Sequence, residues 1–162
     1  MAVDMFMKIS SPNVTGEAQD KTHAKEIDVL SWSWGLSNSG SAQMGGGAGA
    51  GKVNCQDLSF TKYVDSSTAP LMLACCKGTH YGTALLTVRK AGDKPLEYLK
   101  ITLTEVIVTS VSDGGSGGED RLTENISLNF AKVQVDYTPQ KKDGSADTTV
   151  TMNYDFAQNV NE

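Results

Sequence analysis

Apolar and polar residues alternate over residues 124–139, Glu-Asn-Ile-Ser-Leu-Asn-Phe-Ala-Lys-Val-Gln-Val-Asp-Tyr-Thr-Pro, with Ile126, Leu128 and Phe130 in one phase. The phase then slips by one, and Ala131, Val133, Val135 and Tyr137 carry it on. A period of two marks a half-buried strand, and a one-residue slip predicts a bulge or a strand that passes between two sheets. The same alternation predicts strands over 5–9, 27–36, 53–64, 83–90, 96–111 and 148–156. In 27–36, Leu30, Trp32, Trp34 and Leu36 fall on one face and Ser31 and Ser33 on the other. Leu58, Phe60, Tyr63 and Val64 carry 53–64, and Leu99, Ile101, Leu103, Ile107 and Val111 are in phase in 96–111. A Gly-Asp-Lys-Pro turn at 92–95 reverses the chain between two of these strands. Seven or more strands joined by Gly/Asp turns predict an antiparallel barrel or sandwich.

One helix interrupts the strands. Asp65-Ser-Ser-Thr offers N-cap residues, Pro70 suits a first turn, and Gly78 is placed to end the helix. Between them Leu71-Met-Leu-Ala-Cys-Cys is apolar on every side. A helix without a polar face has to be covered on two sides. One cover is its own sheet, and the other is expected to be a second subunit. Two glycine-rich stretches, 44–51 and 113–118, are expected to be loops. The first, with its flanks, exceeds ordinary connection lengths, which points to a functional or disordered segment.

The 162 residues are expected to form a single domain over 1–162, with 39% apolar and 20% charged residues. A net charge of −5, without any Lys/Arg run, argues against a nucleic-acid partner. No stretch approaches the ~20 apolar residues of a membrane span, so no membrane insertion is expected. The N-terminus carries Asp4 and Lys8 and lacks the apolar run of a cleaved signal peptide. Export, if it occurs, is therefore expected in folded form or by a dedicated machine. Cys55, Cys75 and Cys76 make an odd set without metal-site spacing, as expected of reduced thiols.

Candidate chemistry is sparse. Gly46-x-x-x-x-Gly51-Lys52 imitates a phosphate-binding loop, but Val53 replaces the required hydroxyl residue and a strand pattern follows in place of a helix. Cys75 or Cys76 with His80 would make a thiol nucleophile and base, yet thiols in an apolar helix behave as small hydrophobes. His23, in the polar segment 16–26, is expected to be solvated. Glu119 with Asp120, and Asp155 with Asp4, have no demonstrated geometry for acid–base work. Trp32 and Trp34 are expected to anchor the core, with a subunit interface as the alternative. Neither catalytic residues, nor a cofactor, nor a metal set is expected.

Phe60-Thr-Lys-Tyr-Val-Asp65 followed by Ser66-Ser-Thr-Ala-Pro-Leu71, and Ile126-Ser-Leu-Asn-Phe-Ala-Lys-Val133 with Tyr137-Thr-Pro139, resemble the haemolysin-coregulated protein (Hcp) family. The resemblance runs over nearly the whole chain, including the early glycine-rich loop and the closing Tyr154-Asp-Phe. It implies a mainly β fold: a small antiparallel β-barrel of two sheets with one flanking α-helix, assembled into a hexameric ring. Stacked rings make the hollow inner tube of the bacterial type VI secretion system, similar to contractile phage tail tubes. The resemblance also implies partners: the same chain in the ring, a spike, a sheath, and small effector proteins in the lumen. Such a protein is cytoplasmic before assembly and then secreted without a cleaved signal peptide, and it is not an enzyme.

Within that frame, Ser31 and Ser33, opposite the tryptophans, are expected to line the lumen. Met44, Gly46, Ala48, Gly51 and Lys52 of the loop, with Leu73 and Cys76 of the helix, are expected to make ring or stacking contacts. The rival expectations are a monomeric β-barrel carrier of a small apolar ligand and a cysteine-dependent hydrolase. Size in solution separates the first from a ring, and replacement of both helix cysteines by alanine separates the second.

Overall fold

The computed structural model describes residues 2–40 and 52–161. In chain order the elements are β1 (Val3–Ser10), β2 (Ile27–Asp28), β3 (Ser31–Ser33), β4 (Leu36–Ser37), β5 (Asn54–Cys55) and β6 (Leu58–Tyr63), then α1 (Thr68–Lys77). They are followed by β7 (His80–Lys90), β8 (Leu96–Gly114), β9 (Thr123–Tyr137) and β10 (Val150–Asp155). The fold is the mainly β class with one helix that the alternation predicts.

Among the described residues every strand pairing is antiparallel, and the main sheet runs β2-β1-β7-β8-β9-β6-β3, with β10 also on β9. Its two margins are held by one short stretch of chain. Ile27 and Asp28 pair with β1, Ser31–Ser33 pair with β6, and between them the Val29 N–H donates to Met5 O and the Leu30 N–H to Thr61 O. Residues 27–33 thus close the ladder into a small barrel. This is why the predicted strand over 27–36 is broken: β2 and β3 serve opposite margins, and β4 leaves to form a ribbon with β5. The inward phase moves from Ile27 and Val29 to Trp32 and Trp34, which leaves Leu30 and Leu36 exposed rather than on one buried face. The predicted strand over 53–64 is likewise split, because β5 belongs to the ribbon and β6 to the barrel.

Long strands must bend to wrap a core, and the bend here is a line across the sheet. On β7 the buried positions run Tyr81, then Ala84, Leu86 and Val88; on β8, Ile101 and Leu103, then Val106 and Val108; on β9, Ile126, Leu128 and Phe130, then Val133. Each strand turns two successive residues outward at the same level, and the extra residue lengthens the convex side. Glu105 sits on this line with φ 56°, flanked by the pairs Thr104↔Lys132 and Val106↔Phe130. Gly82 lies beside it on β7, where a Cβ would meet the Ser11 Cβ at 2.9 Å. Ser11 itself has φ 63°, and its carbonyl accepts the Gly82 N–H at 3.1 Å. On the far side the Phe156 N–H donates to Ala131 O at 2.8 Å. The phase slip read in 124–139 is therefore this crease. There β9 also exchanges β6, its partner over 123–128, for β10, its partner over 132–137. Ile107 is consequently outward of the buried phase, contrary to the simple alternation of 96–111.

Side chains from both sides of the crease meet in one core cluster, with Met7, Ile9, Ile27, Leu58, Phe60, Leu103, Ile126 and Leu128 at most 2% exposed. Helix α1 packs on β8 through Leu71 and Ala74. Gly78 ends it in the left-handed conformation, φ 66°, donating its N–H to Ala74 O.

Candidate functional site

Two outward rows across β3, β6, β9 and β8 are built from small, uncharged polar residues. Strand register places Ser31 beside Thr61, Asn125 and Ser112 in one row, and Ser33 beside Ser59, Ser127 and Ser110 in the next. The Ser59 and Ser127 hydroxyls are 3.0 Å apart, and Thr61 Oγ1 donates to Asn125 Oδ1 at 2.7 Å. At the edge of these rows Asp57 accepts from Thr109 Oγ1 at 2.7 Å and Asn129 Nδ2 at 2.9 Å, so both its oxygens are occupied. A bulge between Val108 and Ser110 aims Thr109 at Asp57. Ser31 and Ser33 are exposed, and the tryptophans between and beyond them pack inward. The sequence displays this face only at those two serines. The remaining rows need the strand register, which alternation within single strands does not supply.

Two apolar surfaces lie elsewhere. The outer side of α1 presents Met72 at 38% and Leu73 at 53% exposure, with Cys76 also exposed. The second is a cleft of about 580 Å³ between the β4–β5 ribbon and β10, lined by Leu36, Asn38, Lys52, Val53, Met152, Tyr154, Phe156 and Asn159. Its aromatic floor continues from Tyr154 through Phe156 and Phe130 to Trp34, whose indole N–H donates to Gln56 O at 3.0 Å. Among the described residues β10 pairs on one side only, with Val150 65% exposed. Lys52 is exposed at the rim, whereas Met44, Gly46, Ala48 and Gly51 lie outside the described residues.

Two charged clusters were not anticipated from the sequence. Lys62 and Glu124, register partners on β6 and β9, are both fully buried and form an ion pair. Lys62 Nζ also reaches Asp65 Oδ1 at 3.0 Å, and Thr68 Oγ1 donates to Glu124 Oε1 at 2.8 Å. Burial pushes the Glu124 carboxyl up, but the neighbouring Asp113, the hydrogen bond from Thr68 and the ion pair with Lys62 together hold it below the usual range. Asp113, the register partner of Glu124 on β8, is raised to about 6, chiefly by the neighbouring Glu124 carboxyl. The second cluster centres on His23, which is not solvated but 8% exposed, between Glu26 and Glu97. The segment around it folds back on β1 and buries the ring.

The remaining candidates stand apart. Cys76 and His80 are exposed, and Cys75 is half-buried against the core. Asp4 is taken by Arg89, while Asp155 accepts the Ala157 and Gln158 N–H groups of the closing turn. Glu119 and Asp120 sit exposed in a turn. Among the described residues no His/Cys/Asp/Glu group is arranged to hold a metal ion, and no helix is long and apolar enough to cross a membrane.

The sequence profile of the family described as "Type VI secretion system effector, Hcp" matches residues 6–137. Protein hcp1 of Pseudomonas aeruginosa is 66% identical over 162 residues, covering 99% of either chain. The crystal structure of Hcp1 from Salmonella typhimurium is similar with a TM-score of 0.82 at 38% identity, over 100% of both chains. A type VI secretion system effector from Yersinia pestis gives 0.77 at 35% identity, over 94% of this chain and 99% of that one. Profile, sequence and fold agree, and this chain belongs to the Hcp family of secreted type VI secretion proteins, a structural family rather than an enzyme family.

Proposed function

We propose that this chain, folded as one domain, is the tube subunit of the secretion machine. Six copies close into a ring, rings stack into a hollow tube inside a sheath and behind a spike, and the polar face of β3, β6, β9 and β8 lines the bore. The observation that carries this is the pair of rows through Ser31 and Ser33, four strands wide and composed only of Ser, Thr and Asn. Such a wall stays wet. It offers a folded cargo hydrogen bonds worth about 1 kcal/mol each, enough in number to hold a small effector protein and weak enough singly to let it go. Ring closure needs two different patches that fit one another head to tail. The outer side of α1, with Leu73 and Cys76, and the cleft beside β10 are apolar patches built from different elements. Lys52 and the loop residues Met44, Gly46, Ala48 and Gly51 are assigned to contacts with the neighbouring ring.

Negative-stain electron microscopy of the purified protein is expected to give annular particles, with a mass six times the 17.2 kDa chain. Particles of single-chain mass at every concentration would overturn the ring. Ser31→Trp and Ser127→Trp are expected to keep the annuli while a co-expressed effector protein is retained ~10-fold less. Unchanged retention would remove this face from the bore.

A further inference from the structure

We infer that residues 14–26 form a strap, locked against the barrel by a His23 that carries protons on both ring nitrogens and released when one of them is lost. The strap leaves β1 at Val14, whose N–H donates to Ile9 O at 3.0 Å. It doubles back on itself through Gly16 N–H to Lys25 O at 2.8 Å, Ala18 N–H to Glu26 O at 3.0 Å and Lys25 N–H to Ala18 O at 2.9 Å. Met7 and Ile9 of β1 point into the barrel, so Phe6 points out of it, yet Phe6 is only 4% exposed because the strap covers it. The His23 ring stacks on Phe6 with centroids 4.5 Å apart and planes 13° from parallel.

The lock follows from hydrogen-bond stoichiometry. His23 Nδ1 lies 2.8 Å from Glu26 Oε2 and Nε2 2.5 Å from Glu97 Oε1. Carboxylates accept and do not donate, whereas a neutral imidazole has a single N–H. Both contacts are hydrogen bonds only if the ring is the cation. Losing a proton turns one of them into a lone pair facing a carboxylate at a site with little water. Every element packed here contributes charge. Glu97 on β8 is also 3.2 Å from Lys100, and Asp20 on the strap accepts the His23 backbone N–H at 3.2 Å. Asp20 pairs with Arg89 of β7 at 2.6 Å, Arg89 reaches Asp4 of β1 at 3.1 Å, and its guanidinium lies over Phe6, 5.2 Å from the centroid. Arg89 holds the Asp20 carboxyl far below the usual range, so that tie persists through neutral pH and the release concerns residues 22–26. Burial pulls the His23 pKa down, but the bonds and charges of Glu97 and Glu26 raise it more, leaving it above 6.5. The lock is therefore complete below pH 6.5 and is lost as pH rises through the higher folded value. The strap also grips the approach to α1: the Ser66 N–H donates to Glu17 Oε2 at 2.6 Å and its hydroxyl to Thr15 O at 3.0 Å. Release as pH rises thus uncovers Phe6, while the hold of Thr15 and Glu17 on Ser66 stays with the tied end of the strap.

The test is a pH titration of the full chain with two readouts: imidazole nitrogen shifts of His23, and amide hydrogen exchange corrected for its intrinsic pH dependence. Below pH 6.5 both ring nitrogens are expected to be protonated. Above that, protection over residues 22–26 is expected to fall ~10-fold with the midpoint of the His23 titration, while Leu103 and Ile126 stay protected. Glu97→Gln should lower both midpoints together by about one unit, and Glu26→Gln does the same if the first variant fails to fold. A ring still neutral below pH 6.5, strap exchange that ignores the His23 midpoint, or midpoints unmoved in these variants would overturn the proposal.

Discussion

Lys62 and Glu124 occupy positions where the barrel has no water to offer. Removing one partner of a buried ion pair strands the other charge, at a cost of about 3–5 kcal/mol, whereas an apolar pair of similar volume is often neutral. Lys62→Met is thus expected to lower the unfolding free energy by that order, and the double variant with Glu124→Leu to lose less than the single one, measured by urea denaturation. Asp113 adds a pH dependence of defined sign. Its pKa is raised from 3.8 to about 6, so its contribution is full below about pH 4 and fades as pH rises through 6. Amide exchange over the β8–β9 turn should quicken across that window, and Asp113→Asn should abolish the step. The pair itself was visible in the sequence as a residue-level anomaly: Lys62 is in phase with Leu58 and Phe60, and Glu124 with Ile126 and Leu128. Alternation alone marks both as misplaced charges; only the register of β6 on β9 makes them partners. His23 carried no such signal, because its partner Glu97 lies 74 residues away.

At the scale of elements, the crease is where local preference yields to curvature. Glu105 holds a left-handed backbone that costs an L-residue roughly 1–2 kcal/mol. Glu105→Gly should therefore raise stability by about 1 kcal/mol, read as a higher urea midpoint at unchanged slope. Gly82→Val should do the opposite, by roughly 1–3 kcal/mol, because the new side chain enters the space of Ser11. The long strands and the helix ends were legible, since alternation, Pro70 and Gly78 are local signals. The breaks within 27–36 and 53–64 were not. They arise because consecutive residues bond to different partner strands, and the periodicity of one strand says nothing of its neighbours.

For the whole molecule, the surfaces matter more than the interior, and most of them were hidden from a linear reading. The apolar outer side of α1 was legible, as Leu71–Cys76 has no polar face; the cleft beside β10 gathers residues from three distant stretches and was not. Leu73→Asp should leave the fold within about 0.5 kcal/mol of the parent, as expected for an exposed position. It should also shift the protein from ring to single chain in gel filtration. An unshifted profile would take the helix out of the ring contact. Closure by residues 27–33 has a further effect on how this shell comes apart. A single scission of the backbone between Val29 and Leu30 would sever the covalent tie between the two hems of the cylinder, whereas the same cut in the solvent-bathed turn at 92–95 would leave it intact. The vulnerable link is thus short and braced on both flanks, and a protease would meet expendable chain before it met the clasp.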